Sequence, residues 1–177
     1  MDDNGELCSQ VGMMLWPTSS SEDFTIGPAR SATELISTAA LFRAYAADLP
    51  VDLSPQGFSQ ELASLPGIYG PPGGELLLAK RGDHVLGCIA LKPLEPPRVA
   101  EIKRLFVRPQ ARGTGIGKAL VATVVATAQR LGYEEIKLDT RPAMEAAIAL
   151  YGAAGFAPIP PYGSHPYPGL ICLGKTL

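Results

Sequence analysis

The chain is poor in cysteine and histidine. Its three cysteines, Cys8, Cys88 and Cys172, lie far apart and form no Cys-x-x-Cys pair. That spacing excludes zinc-finger and thioredoxin-type chemistry, and no metal is expected. Cys88 and Cys172 fall in apolar strand patterns, where buried thiols are common. Long apolar runs are also missing. No window holds about eighteen consecutive apolar residues, so neither a spanning helix nor a membrane partner is expected. Charge of one sign is lacking as well. Fifteen basic and seventeen acidic residues leave a net charge of −2, which gives no general reason to expect nucleic acid. The N-terminus carries Asp2, Asp3 and Glu6, and its apolar run from Val11 to Trp16 is short and broken by Gly12. A secretory signal needs a basic start and a longer apolar core, so the expected location is cytoplasmic. Residues 1–22 show no sustained period and read as a flexible leader. Residues 23–177 read as a single domain, large enough for a proper core.

What is present is concentrated between Val107 and Leu120. The run Val-Arg-Pro-Gln-Ala-Arg-Gly-Thr-Gly-Ile-Gly-Lys-Ala-Leu reads as a strand end, a turn, and a glycine-spaced loop opening into an apolar-periodic helix. Gly113, Gly115 and Gly117 leave the backbone uncovered where a helix begins. The first N–H groups of a helix have no helical partner and the dipole there is positive, so the segment is suited to an anion. Arg112 enters this segment and Lys118 leaves it. Lys103, Arg104, Arg108, Arg112 and Lys118 follow one another with no acid between them. A polyphosphate ligand accounts for that clustering. The dinucleotide fingerprint does not fit, because the third glycine comes one residue early. The Walker loop does not fit either, because Arg112 stands where its first glycine belongs and Ala119 follows Gly117-Lys118.

The remaining pattern is Arg-x-x-Gly-x-Gly at Arg112, Gly115 and Gly117. Downstream stands Leu150-Tyr151 followed by Gly155-Phe156. Together these resemble the GCN5-related N-acetyltransferase (GNAT) superfamily, from about Phe24 to the C-terminus and most sharply from Arg98 to Phe156. The resemblance implies acetyl-CoA as cosubstrate, with the pyrophosphate held by the loop Arg112, Gly113, Thr114, Gly115, Ile116, Gly117 and Lys118. It also implies pantetheine pairing with the backbone of Leu105, Phe106 and Val107. A homodimer is left open.

The rest of the chain is consistent with such a fold. A first strand covers Phe24 to Pro28. Ser31 caps a helix with Glu34 closing a capping box, and that helix ends near Pro50. A second helix runs from about Pro55 to Ser64. Strands follow at Glu75 to Lys80 and His84 to Leu91 around the turn Arg81-Gly82-Asp83, and Pro93, Pro96 and Pro97 then break the chain. Val99 to Val107 feeds the loop. The helix after it is apolar at Ile116, Leu120, Val121, Val124, Val125, Ala128 and Leu131, and Gly132 ends it. Ile136 to Thr140 is a strand, Pro142 opens a helix that ends at Gly155, and the tail holds two short strands. The fold class is therefore α/β, GNAT-type, with a mixed, mostly antiparallel sheet and helices on both faces.

Amine acetylation needs an amine without its proton, a polarised thioester carbonyl, and a proton for the leaving thiolate. By the resemblance, Tyr151 is the candidate acid, with a core-packing tyrosine as the alternative. Glu101 is the candidate base, with a strand-surface carboxylate paired to Lys103 as the alternative. Many relatives have an asparagine before the tyrosine helix. Here the segment is Asp139-Thr140-Arg141-Pro142-Ala143-Met144, and Thr140 or Arg141 would have to take its place. Arg43, Tyr45, Asp48, Tyr162, His165 and Tyr167 are candidates for the acceptor side. The expected activity is direct transfer from acetyl-CoA to a primary amine of a small molecule or amino acid. A non-catalytic acyl-CoA-binding module and a protein lysine or N-terminal acetyltransferase are the other readings.

Overall fold

The structure, a computed structural model, describes residues 24–49, 52–54, 57–163 and 168–177. Along the chain these form β1 (Thr25–Pro28), α1 (Ala32–Asp48), α2 (Phe58–Ala63), β2 (Glu75–Arg81), β3 (His84–Leu94), β4 (Val99–Val107), α3 (Ile116–Arg130), β5 (Glu135–Thr140), α4 (Glu145–Ala153), β6 (Ala157–Pro158) and β7 (Ile171–Thr176). The strands make one sheet in the order β1-β2-β3-β4-β5-β7-β6. Every neighbouring pair is antiparallel except β4 with β5. This is the mixed, mostly antiparallel sheet expected from the sequence.

Strand side chains alternate between faces, so each central strand serves two cores. Leu77, Ala79, Ile89 and Leu91 pack with Ile116, Leu120, Val121 and Val124 of α3. Their neighbours Leu76, Leu78, Cys88 and Ala90 pack with Leu41 and Phe42 of α1 on the other face. Helices therefore cover both faces, with α3 and α4 on one and α1 on the other.

The start of α1 is the predicted capping box, with Ser31 and Glu34 bonded reciprocally. Glu34 also reaches Lys80 of β2 at 2.5 Å, which ties the helix start to the sheet. The Lys80 ammonium, then the amides of Arg30 and Ser31, hold the Glu34 carboxyl down at about 2. A carboxylate depressed by folding stabilises above its unfolded value and loses that contribution as pH falls through the folded one. Acid titration of stability should therefore show a loss between pH 4.5 and 2. Glu34→Gln should flatten that loss, measured by denaturant melts at each pH.

Three boundaries differ by three residues from the sequence reading, each for a local reason. β3 continues through Pro93 to Leu94. β2 stops pairing at Leu91, so Pro93 sits where no neighbour on that side requires its missing N–H. α2 begins at Phe58, after Gly57, and Pro55 lies outside the described residues. α4 begins at Glu145 and not at Pro142. The Met144 N–H turns back to the Arg141 carbonyl at 2.9 Å, which makes Pro142-Ala143 a turn.

Two features of β4 prepare the site. It pairs with β5 only from Val99 to Glu101, so from Ile102 onward the two strands part and a gap opens. It also carries a bulge. Between the pairs Ala90↔Lys103 and Cys88↔Phe106, β3 advances by two residues and β4 by three. Gly87 lies beside the bulge, and an added Cβ there would come within 2.7 Å of the Phe106 carbonyl oxygen.

Candidate active site

The gap opens into a groove of about 730 Å³. Its floor is Leu105, Phe106 and Val107 of β4. One wall is Tyr45, Asp48 and Leu49 at the end of α1, and the other runs from Ala143 to Leu150. Arg112, Gly113 and Gly117 line one end. The Arg108 N–H donates to Leu86 of β3 at 2.9 Å. Backbone direction alternates along a strand, so the Val107 N–H and C=O point the opposite way, toward the gap, where the carbonyl already accepts from Arg112. An extended ligand can therefore lie there as an added strand would.

The loop beyond β4 presents a row of donors. The N–H groups of Gly113, Thr114, Gly115, Ile116, Gly117 and Lys118 bond to no group of the described residues. Gly115 is the N-cap of α3 with φ of 87°, a left-handed conformation in which a Cβ is strained. Around Gly113 and Gly115 the space a Cβ would take is open. No side chain plugs the segment. This arrangement fits a diphosphate at a helix N-terminus.

The loop side chains divide the work. Ile116 is buried and contributes its side chain to the core. The Thr114 hydroxyl donates to the Ala111 carbonyl at 2.7 Å and closes the turn. Lys118 is exposed on the first turn of α3. Gly117 packs closely, since a Cβ there would meet Leu150 of α4 at 3.4 Å. Arg112 turns away from the row of amides. Its guanidinium bonds Asp48 at 2.6 Å and the Val107 carbonyl at 3.0 Å, over the ring of Phe106. It fastens the loop to α1.

At the inner end of the groove lies a polar recess of about 70 Å³. Tyr45, Lys103, Arg104, Leu105, Asp139, Arg141, Met144 and Tyr151 contribute to its lining. Tyr151 packs its ring edge-on against Phe156, 5.5 Å between centroids. Among the described residues no group bonds its hydroxyl. Burial pushes that hydroxyl above its ordinary value, so it keeps its proton at neutral pH. Asp139 belongs to the same lining. One Asp139 oxygen accepts from Lys103 in a very short contact, and the other accepts from no described group. No buried side-chain oxygen among the described residues is left without a partner, so neither of these two oxygens is fully buried. A proton donor and a proton acceptor therefore share one small space.

Glu101 takes a different place. It is buried, 2.9 Å from Lys92 and 3.2 Å from Lys103, and it accepts the Tyr162 hydroxyl at 2.8 Å. Its carboxylate is not part of the recess lining. Lys103 links the two acids. Burial alone would lower its ammonium, but Glu101 and Asp139 outweigh burial and raise it, so it stays charged. In the sequence Asp139 stands out only as part of a segment lacking asparagine. Its signal is the alternation of β5, in which Asp139 follows Leu138 and so faces opposite to that core residue.

Other candidates separate cleanly. Tyr45 and Asp48 line the groove, whereas Arg43 is exposed and lines neither cavity. Tyr162 covers Glu101. Arg141 lines groove and recess, and the Thr140 hydroxyl turns to the Met144 sulfur at 3.7 Å. His165 and Tyr167 lie outside the described residues. No metal-holding cluster of acids, histidines or cysteines occurs among the described residues, nor does any helix long and apolar enough to cross a membrane.

Comparison with known proteins agrees with this geometry. Residues 38–156 match the family model described as acetyltransferase (GNAT) family. The chain is 38% identical to an uncharacterized N-acetyltransferase of Schizosaccharomyces pombe over 133 residues, covering 74% of this chain and 81% of the relative. An IAA acetyltransferase of Azospirillum brasilense is 37% identical over 98 residues, 54% of this chain and 64% of that protein. Among solved structures, a putative acyl-CoA N-acyltransferase from Klebsiella pneumoniae superposes with a TM-score of 0.69 at 27% identity, covering 89% of this chain and 99% of that one. An acetyltransferase from Streptococcus agalactiae gives 0.73 at 20% identity, covering 88% and 99%.

Proposed function

Because this chain belongs to the acetyltransferase (GNAT) family, an N-acetyltransferase family with acetyl-CoA as cosubstrate, we propose that its acceptor is the primary amine of a small molecule or amino acid. The observation that carries the reading is that one recess at the inner end of the groove is lined both by Tyr151, whose hydroxyl has no partner among the described residues, and by Asp139, whose carboxylate is held by Lys103 through one oxygen. A recess of about 70 Å³ suits one amine-bearing group.

In this reading the six loop amides hold the diphosphate and the Val107 backbone holds the pantetheine arm. Bound acetyl-CoA supplies an activated acyl thioester. An alkyl ammonium, with a pKa of about 10.4, has no lone pair to attack with. Asp139 accepts its proton, directly or through water, and Lys103 keeps that carboxylate oriented. Tyr151 gives a proton to the departing thiolate, which needs limited help because a thiol pKa is about 8.5, and the second proton that the nitrogen loses as the amide forms restores the tyrosine. Glu101 anchors the far side of Lys103, so the base expected from the sequence becomes a support for the base that lines the recess.

The test has two parts. Thermal-shift measurements with acetyl-CoA, NAD and ATP should show stabilisation by acetyl-CoA alone, about 2.7 kcal/mol at one hundred times its dissociation constant. Thiol release should then be followed with a panel of small amines and a panel of lysine-bearing and free-N-terminal peptides. Turnover confined to the peptides would overturn the small-amine assignment.

A further inference from the structure

The bulge in β4 is built around a residue in an unusual state. Arg104 has φ of 58°, the left-handed region that residues with a Cβ avoid. It is buried, and Arg104 and Leu105 both line the recess. Such a conformation persists only where the surroundings hold it. Here the hold is visible. The Arg104 guanidinium makes a two-pronged ion pair with Glu61 of α2, Nε to Oε1 at 2.9 Å and Nη2 to Oε2 at 2.6 Å. It lies between the rings of Tyr45 and Phe58, 5.7 and 5.3 Å from their centroids. Glu61 is itself held, because the buried Tyr69 hydroxyl donates to its Oε1 at 2.9 Å. Tyr69 in turn stacks edge-on against Phe42 of the α1 core.

We infer that Glu61 and Tyr69 are positioning residues for acetyl transfer: through Arg104 they hold the β4 bulge, and with it the Leu105 backbone, in the orientation that faces the thioester carbonyl. The planar fork explains why an arginine is suited to this position. A guanidinium paired bidentately cannot rotate without breaking both bonds, whereas a lysine would pivot on a point charge. The clamp does not touch the loop from Gly113 to Lys118, so grip on the coenzyme and orientation of its acetyl end are separable. The inference rests on the acetyl-CoA reading of the groove.

The test uses the full chain and acetyl-CoA labelled with carbon-13 at the acetyl carbonyl, so no acceptor is needed. Calorimetry is read first, and then the carbonyl resonance of the bound ligand. In the parent, the resonance should be displaced from its free position, reporting polarisation by the strand backbone. In Glu61→Gln the affinity should be unchanged within error, while most of the displacement is lost. Tyr69→Phe, which leaves the ion pair in place, should lose part of it. The double variant Glu61→Gln/Arg104→Gln leaves no buried unpaired charge but keeps a Cβ at the left-handed position, so the bulge is strained there with no clamp to hold it. It should bind normally and show the loss in full. Retention of the parent displacement in the double variant overturns the inference, as does a fall in affinity that parallels the loss. A parent chain that does not bind acetyl-CoA overturns the coenzyme reading instead, and calorimetry separates that failure from the others.

Discussion

Gly115→Val should abolish useful acetyl-CoA binding while leaving a folded protein. The residue caps α3 at a φ of 87°. A Cβ there costs about 1–2 kcal/mol from the left-handed conformation alone, and a β-branched side chain adds to it. The chain relieves this strain by turning the peptide planes of the loop, which takes donors away from a common target. Loss of two charge-assisted bonds at about 1.5–3 kcal/mol each corresponds to at least about a hundredfold weaker binding. Calorimetry of the variant against the parent measures it. Gly152→Ala is the control, because Gly152 lies on α4 with open space around it. There the exchange should stabilise the helix by about 0.5–1 kcal/mol. Unchanged affinity in Gly115→Val would remove the loop from the coenzyme site.

Asp139→Asn and Tyr151→Phe should give the largest losses of turnover. Each removes a single proton-transfer group and little volume. A positioned acid or base contributes about 10²–10⁴-fold, and the base should lie toward the upper end because the ammonium cannot react while protonated. Tyr151→Phe should lie toward the lower end, since a thiolate leaves without great help. Neither variant should weaken acetyl-CoA, because neither residue belongs to the amide row. The readout is kcat for thiol release beside the coenzyme dissociation constant. If Glu101→Gln proves as damaging as Asp139→Asn should be, while Asp139→Asn keeps parental turnover, the proton goes to Glu101 and the two acids exchange roles.

The loop and the strands were legible in the sequence for the same reason: both are encoded locally. Alternate glycines before an apolar helix leave bare amides at a helix start, and the short apolar run from Glu75 to Lys80 reads as a strand. Lys103 beside Glu101 was legible, two residues along on the same strand face, but the other partners of the charged residues were not, because they depend on register and on long-range packing. Glu101 faces Lys92 only because β3 and β4 align those two residues. It meets Tyr162 only because the tail returns across the sheet. Arg112 looked like a phosphate ligand beside its glycines, yet its partner Asp48 lies at the end of α1, far back in the chain. Pro142 is suited equally to a helix start and to the second position of a turn, and the Arg141–Met144 bond decides for the turn. The value of Asp139 emerged only when its two oxygens could be told apart.

Peptide groups are common to all twenty residue types. A site that grips its shared donor molecule through them is largely blind to the identity of the side chains above it. Selection is then free to rework the neighbouring rim for new acceptors without disturbing the hold on the donor. Among descendants of this chain, changes in what is acetylated should accumulate around Tyr45, Leu49 and Met144, while the glycines from 113 to 117 stay as they are.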